Sequence, residues 1–163
     1  MVRRREEKSE VGAYDKALTL LARREHSARE LKSKLVRKGM DAEESAAALA
    51  QLQSKDYQSD ARFGEMLVRS RIAQGYGPRW IIAELKTHGI AEGRARELIE
   101  ASEPDWPVLV REIVRRRYGA KPATSLAERS KRANFLLRRG FDAATVQSIT
   151  RAQGLESSAD ELD

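Results

Sequence analysis

The sequence predicts an all-α protein of three tandem three-helix repeats, and three observations carry that prediction. Helix-favouring Ala, Leu, Arg and Glu dominate, with only 4 prolines and 10 glycines to interrupt them. No segment alternates polar and apolar residues as a half-buried strand would. One short pattern also recurs three times. A leucine stands four residues ahead of a glycine, a large apolar residue follows it, and the glycines fall at Gly39, Gly89 and Gly140, 50 and 51 residues apart.

The recurring pattern has a mechanical reading. A helix stops readily when the residue just past its end turns left-handed, a conformation glycine adopts without Cβ strain. The next residue then packs back one turn. Gly39 would pair Met40 with Leu35, Gly89 would pair Ile90 with Leu85, and Gly140 would pair Phe141 with Leu136. Around these stops the chain divides into a flexible basic N-terminus (1–12), repeats over 13–57, 58–104 and 105–153, and an acidic tail (154–163).

In the first repeat Tyr14, Ala17, Leu18 and Leu21 follow helical spacing. Ser27-Ala28-Arg29-Glu30 reads as a capping box that opens the helix ending at Gly39. Asp41 caps a third helix, with Glu44 at N3 and Ala46, Leu49 and Leu52 on its buried face. The second repeat starts near Ser59-Asp60, and Phe63, Met66 and Leu67 line its first helix. Gly75-Tyr76-Gly77-Pro78 is a turn, with Gly77 at the bend and Pro78 at N1 of the helix that carries Ile81 and Leu85. Ala91, Ala95, Leu98 and Ile99 mark the next helix. In the third repeat Pro107 suits N1, and Leu109, Val110, Ile113 and Val114 form an apolar stripe. Tyr118 to Pro122 form a loop, Ser125-Leu126-Ala127-Glu128 is a second capping box, and Val146 and Ile149 mark the last helix. Each unit is near the lower size limit for folding alone. Neighbours are therefore expected to complete one another's cores in an elongated, curved array.

The search for chemistry comes back empty. Without cysteine there are no disulfides and no thiolate metal sites. No apolar run approaches the roughly 20 residues of a membrane span, and the basic N-terminus lacks the apolar stretch of a secretory signal, so a cytoplasmic protein with no membrane partner is expected. His26 and His88 each sit at a helix boundary with no second ligand nearby, and read as surface or capping residues rather than metal ligands. The Gly-Tyr-Gly-Pro turn joins two helices, so it is not a phosphate loop. No GxSxG, HExxH or calcium-loop pattern occurs, and carboxylates sit beside bases at helical spacing, as Glu112 does with Arg116. The expectation is a binding protein without catalytic residues, metal or cofactor.

Charge is the remaining signal. The net charge is +6, yet residues 106–155 alone hold eleven Lys and Arg against three Asp and Glu. Residues 58–105 hold seven against eight, and 156–163 hold four acids and no base. Arg111 and Arg115 share a helix face that Arg116 and Arg117 widen. Arg129, Lys131 and Arg132 open the following helix, and Arg138 and Arg139 close it. All are expected off the apolar stripes. Such a cluster suits a polyanion, through release of counterions, or an acidic protein surface. Two blander readings stand beside it: solubility, and, for the residues just ahead of each glycine, favourable placement at a helix C-terminus.

Taken together these stretches resemble the RecX family of regulators of the RecA recombinase. The resemblance lies in Ala17-Leu18, His26-Ser27, Glu30-Leu31 and Lys34-Leu35, then Asp60-Ala61-Arg62-Phe63 and Gly75-Tyr76-Gly77-Pro78 with Glu84-Leu85. It continues through Asp105-Trp106, Arg117-Tyr118-Gly119, Phe135-Leu136-Leu137 and Arg139-Gly140, and spans about residues 13–152. The resemblance implies a monomer that lies in the groove of the RecA filament on single-stranded DNA and blocks its extension. RecA's ATPase, strand-exchange and coprotease activities would fall as a result. It also implies direct DNA binding by some members. The rival reading is a helical repeat protein that grips DNA without RecA.

Overall fold

The computed structural model describes residues 11–159, with side chains to residue 152. Residues 1–10 of the expected basic N-terminus and 160–163 of the expected tail lie outside the described residues. Among those described, the chain forms nine helices and no strand. They are α1 (Ala13–Leu21), α2 (Ala28–Arg37), α3 (Ala42–Ser54), α4 (Asp60–Ala73), α5 (Pro78–Thr87), α6 (Glu92–Ala101), α7 (Trp106–Tyr118), α8 (Leu126–Arg138) and α9 (Ala143–Ala159). The last runs through Gly154, where the sequence predicted the tail to begin.

The three glycine stops are where the repeat pattern put them. Gly39, Gly89 and Gly140 have φ of +85°, +80° and +90°. In each the following amide reaches back to the predicted leucine: Met40 N–H to Leu35 O at 3.1 Å, Ile90 to Leu85 at 3.1 Å, Phe141 to Leu136 at 3.2 Å. The same motif, unforeseen, ends α4 at Gly75, where Tyr76 N–H meets Arg71 O at 3.0 Å. The predicted caps also form. Ser27 Oγ accepts from Glu30 N–H and Ser125 Oγ from Glu128 N–H, both at 3.1 Å, and Asp41 Oδ2 accepts from Glu43 and Glu44 N–H at 2.9 and 3.1 Å.

The chain divides into two compact units, 1–63 and 64–163. In the first, α1 packs on α2 and α3 around Ala13, Ala17, Leu31, Leu35, Ala48 and Leu52. On α3, Leu52 is buried and Leu49 packs partly buried on the core as predicted, but Ala46 is exposed and Ser45 and Ala48 complete the buried face. Ser45 can be buried because its hydroxyl donates to Asp41 O at 2.7 Å within its own helix. Asp60 stands at the start of α4, as expected, and also caps α2. Its Oδ1 accepts from Ala28 N–H at 2.8 Å and from the buried Gln58 amide at 3.0 Å, while Ser59 Oγ takes the Arg62 N–H of α4 at 3.2 Å.

His26 was expected at the surface, and it is only 2% exposed. Its Nδ1 lies 2.9 Å from Arg24 O and its Nε2 3.2 Å from Lys34 Nζ, so Nδ1 donates and Nε2 accepts. Burial pushes the imidazole below its ordinary 6.5. Beside it, burial disfavours the Glu30 carboxylate, but hydrogen bonds from Arg24 and Lys34 outweigh that and hold its pKa at about 2.

In the second unit α5 packs on α6, and the buried residues include Val68, Ile81, Leu85, Ala95, Leu98 and Ile99. Ala91 is the cap of α6 rather than part of its buried face. Farther along, α7 and α8 both pack on α9 around Val110, Val114, Phe135, Leu136, Phe141, Val146 and Ile149.

Candidate functional site

The basic residues of α7 do not make one patch. Val110 and Val114 turn into the core, and the arginines divide to either side of them. Arg111 and Arg115 face α9 across a 260 Å³ cleft whose far wall is Ser148, Ile149 and Ala152. Arg116 and Arg117 enter a separate 660 Å³ cleft with Arg69 of α4 and Arg139, over apolar walls that include Ile72, Ile113 and Phe135. Lys131 and Arg138 are exposed and line neither cleft. Arg129 is half-buried, with its Nε enclosed and without a hydrogen-bond partner.

Arg132 differs most from expectation. It is 7% exposed, its guanidinium lies 5.0 Å from the centre of the Tyr118 ring, and it donates to Lys121 O at 3.1 Å. It closes the loop after α7 onto α8, where the sequence placed it off the apolar stripe. The ring gives the cation a favourable partner, and the carbonyl satisfies a donor, so burial is tolerated.

Gly77 and Gly140 meet. A Cβ on Gly77 would fall 2.5 Å from Gly140 C and O, and one on Gly140 would fall 2.4 Å from Trp80 N. The contact is made by backbone. Gly77 N–H donates to Arg139 O at 2.7 Å and Arg79 N–H to Gly140 O at 3.0 Å. The amino end of α5, with Pro78 at N1 as predicted, therefore sits on the carboxyl end of α8, and the opposed helix-end charges attract. Arg139 seals the joint. Its guanidinium is 4.6 Å from the Tyr76 ring centre and donates to Gln74 O at 3.2 Å. Tyr76 in turn stacks on Trp80, with ring centres 4.7 Å apart.

The acids explain why this region stays basic. Glu128 accepts from Thr124 N–H at 2.9 Å and Asp142 from Thr145 N–H at 2.8 Å, and those backbone bonds, as the leading cause, hold both carboxyls below their ordinary values. Both serve turns and helix starts first, and the Arg132 charge adds to the lowering at Glu128. Earlier in the chain several arginines are matched: Arg62 with Glu25 at 2.9 Å, Arg71 with Glu84 at 2.6 Å, Arg96 with Glu92 at 2.7 Å. Arg132 aside, among the described residues no Lys or Arg after Trp106 forms such a pair. Sequence reasoning missed Arg69, Tyr76 and Trp80 as neighbours of this cluster. Arg69 was hidden in a near-neutral repeat, Tyr76 was read only as part of a turn, and Trp80 was passed over.

Among the described residues no three His, Asp or Glu side chains converge as a metal site would need, and no helix is long and apolar enough to cross a membrane. Comparison with known proteins supplies the rest. Models of the first, second and third three-helix domains of RecX match residues 13–52, 59–100 and 109–150. The chain belongs to the RecX family. It is 45% identical over 136 residues to the regulatory protein RecX of Stenotrophomonas maltophilia (strain R551-3), covering 83% of each chain. It is 41% identical over the same length to that of Xanthomonas axonopodis pv. citri (strain 306), covering 83% of this chain and 84% of that one. The crystal structure of RecX from Lactobacillus salivarius superposes with a TM-score of 0.68 at 20% identity, over 88% of this chain and 95% of that one. A second crystal structure of a regulatory protein RecX gives 0.72 at 22% identity, over 85% and 71%. At such identities the likeness establishes the RecX fold alone. In RecX terms, the Gly77–Gly140 joint links the second three-helix domain to the third.

Proposed function

We propose that this RecX-family chain is a modulator that lowers RecA activity. It acts as a cytoplasmic monomer, without cofactor or catalytic residue, by lying in the groove of the RecA filament on single-stranded DNA. Occupying the groove blocks filament extension, and ATPase, strand-exchange and coprotease activities fall with it. The observation that carries this reading is the third domain, most of whose basic residues face solvent while Glu128 and Asp142 serve helix starts. Cations without a carboxylate partner gain affinity for a phosphate-bearing filament by releasing its counterions. Arg111, Arg115, Arg116, Arg117, Arg129, Lys131, Arg138 and Arg139 are the contact residues of this proposal. Arg132 contributes by holding Tyr118.

The test is RecA ATPase on single-stranded DNA, with the protein added well below the concentration of DNA sites. Inhibition at that ratio supports the proposal, because too little protein is present to compete for the DNA. Inhibition that grows only as the protein approaches the DNA concentration returns the reading to a DNA-binding protein acting without RecA.

A further inference from the structure

Through Arg139 the larger arginine cleft adjoins the half-buried Tyr76 and the exposed Trp80. Arg117 lies 4.4 Å from the centre of the Phe135 ring, and Arg139 5.3 Å from that ring and 4.6 Å from Tyr76. Tyr76 is stacked on Trp80, which is 44% exposed. Cations and rings thus follow one another out of a 660 Å³ cleft and end on an indole with one face covered by Tyr76. Trp80 is held there by its backbone, which occupies the space a side chain on Gly140 would fill.

We infer that this cleft and the Trp80 face together form a subsite for single-stranded nucleic acid. A base stacks on Trp80, and the adjoining phosphates lie against Arg69, Arg116 and Arg139. Stacking gives affinity that tolerates any base, and the arginines track the backbone. Duplex DNA fits less well, because its bases are already stacked and only its phosphates are offered. An acidic protein surface would leave the indole without use. Glu112 is the one carboxylate lining the cleft, so the local balance stays strongly positive. The inference deepens the filament reading by assigning where the DNA strand is met.

The chain has 2 tryptophans, and the other, Trp106, packs edge-on against Phe141 in the core. In a Trp106→Phe background, Trp80 alone emits. Titration with an oligothymidylate should quench that emission, and a hairpin duplex of equal length should not. Trp80→Ala, which changes no charge, should weaken oligothymidylate binding about tenfold while leaving its salt dependence unaltered. Trp80→Phe should recover most of the loss. Arg69→Ala with Arg116→Ala should weaken binding and reduce the salt slope by about 1.4, for two phosphates on a single strand. Unmoved Trp80 emission at saturation, parental affinity in Trp80→Ala, or an equal loss on duplex would each overturn the subsite. RecA ATPase inhibition is measured in parallel. If inhibition persists while the oligonucleotide results fail, the subsite is wrong and the filament reading stands. If the parent protein does not inhibit, the filament reading fails and the oligonucleotide results still decide the subsite.

Discussion

Replacing Gly140 with alanine separates two costs that a glycine can hide. Gly89 and Gly140 lie in the same unit and both end helices at positive φ, +80° and +90°. An alanine at Gly89 meets nothing within 4 Å, so its cost is the left-handed backbone alone, about 1 kcal/mol. At Gly140 the new Cβ would lie 2.4 Å from Trp80 N and 2.7 Å from Trp80 Cβ. Backbone cannot swing aside as a flexible side chain can. The end of α5 must back away, which breaks the bonds from Gly77 N–H and Arg79 N–H at 2.7 and 3.0 Å. At about 1 kcal/mol each, they bring the expected cost of Gly140→Ala to about 3 kcal/mol. Trp80 and Trp106 both lie in this unit, so tryptophan fluorescence in a urea titration reports on it directly. Gly77→Ala breaks the same joint from the other side. The double variant should therefore cost much less than the two single costs combined. Equal midpoints for Gly89→Ala and Gly140→Ala, or strict additivity in the double variant, would refute the backbone joint.

Four further outcomes are expected. Gly89→Val should destabilise by roughly 1–2 kcal/mol, because a β-branched residue is strained at positive φ, and an unchanged melting temperature would contradict the φ of +80°. Replacing Arg111, Arg115 and Arg116 with alanine should weaken binding to RecA–DNA filaments and make it less salt-sensitive with the helical circular dichroism intact, whereas native dissociation and native salt dependence would remove these residues from the interface. Arg132→Ala should instead cost stability, roughly 2 kcal/mol, through the lost Tyr118 contact and the bond to Lys121 O. Acid should act on the first unit in two stages. The His26 pKa is lowered on folding, so its contribution is present above 6.5 and is lost as pH falls below that value towards the folded pKa. Glu30, brought from 4.5 to about 2, contributes fully above 4.5 and loses that contribution only across the lower range. His26→Gln should abolish the first stage and keep the second. A parent urea midpoint that is flat between about pH 7.5 and about pH 5.5 would refute the buried neutral imidazole.

What could be read in the sequence was whatever is decided within one turn of helix. The stops at Gly39, Gly89 and Gly140, and the caps at Ser27, Asp41 and Ser125, each involve partners a few residues apart, so spacing alone exposes them. Faces were less legible. Polarity argued against Ser45 as a core residue, yet a bond to its own helix makes it one. Asp60 was placed at the start of its own helix, but the helix it also caps begins 32 residues earlier. The same limit hid the site. Arg132 was read from its charge, while its burial depends on a tyrosine across a loop. The meeting of Gly77 with Gly140 leaves no trace in either local pattern. The helical repeat of 3.6 residues placed Arg115 and Arg116 side by side, but only the packing of α7 shows that they serve different clefts.

The capping duty of Glu128 and Asp142 has a thermodynamic corollary. Neither can be released to neutralise a further arginine without uncovering the start of a helix, so mutual repulsion among the third domain's cations has little internal remedy beyond Glu112. Relief has to come from outside, as salt or as a bound polyanion. Whatever binds those cations in the native state, and not in the unfolded chain, stabilises the fold by mass action. The filament would then be for this domain both a target and a folding ligand, and the domain would be firmest when it is at work.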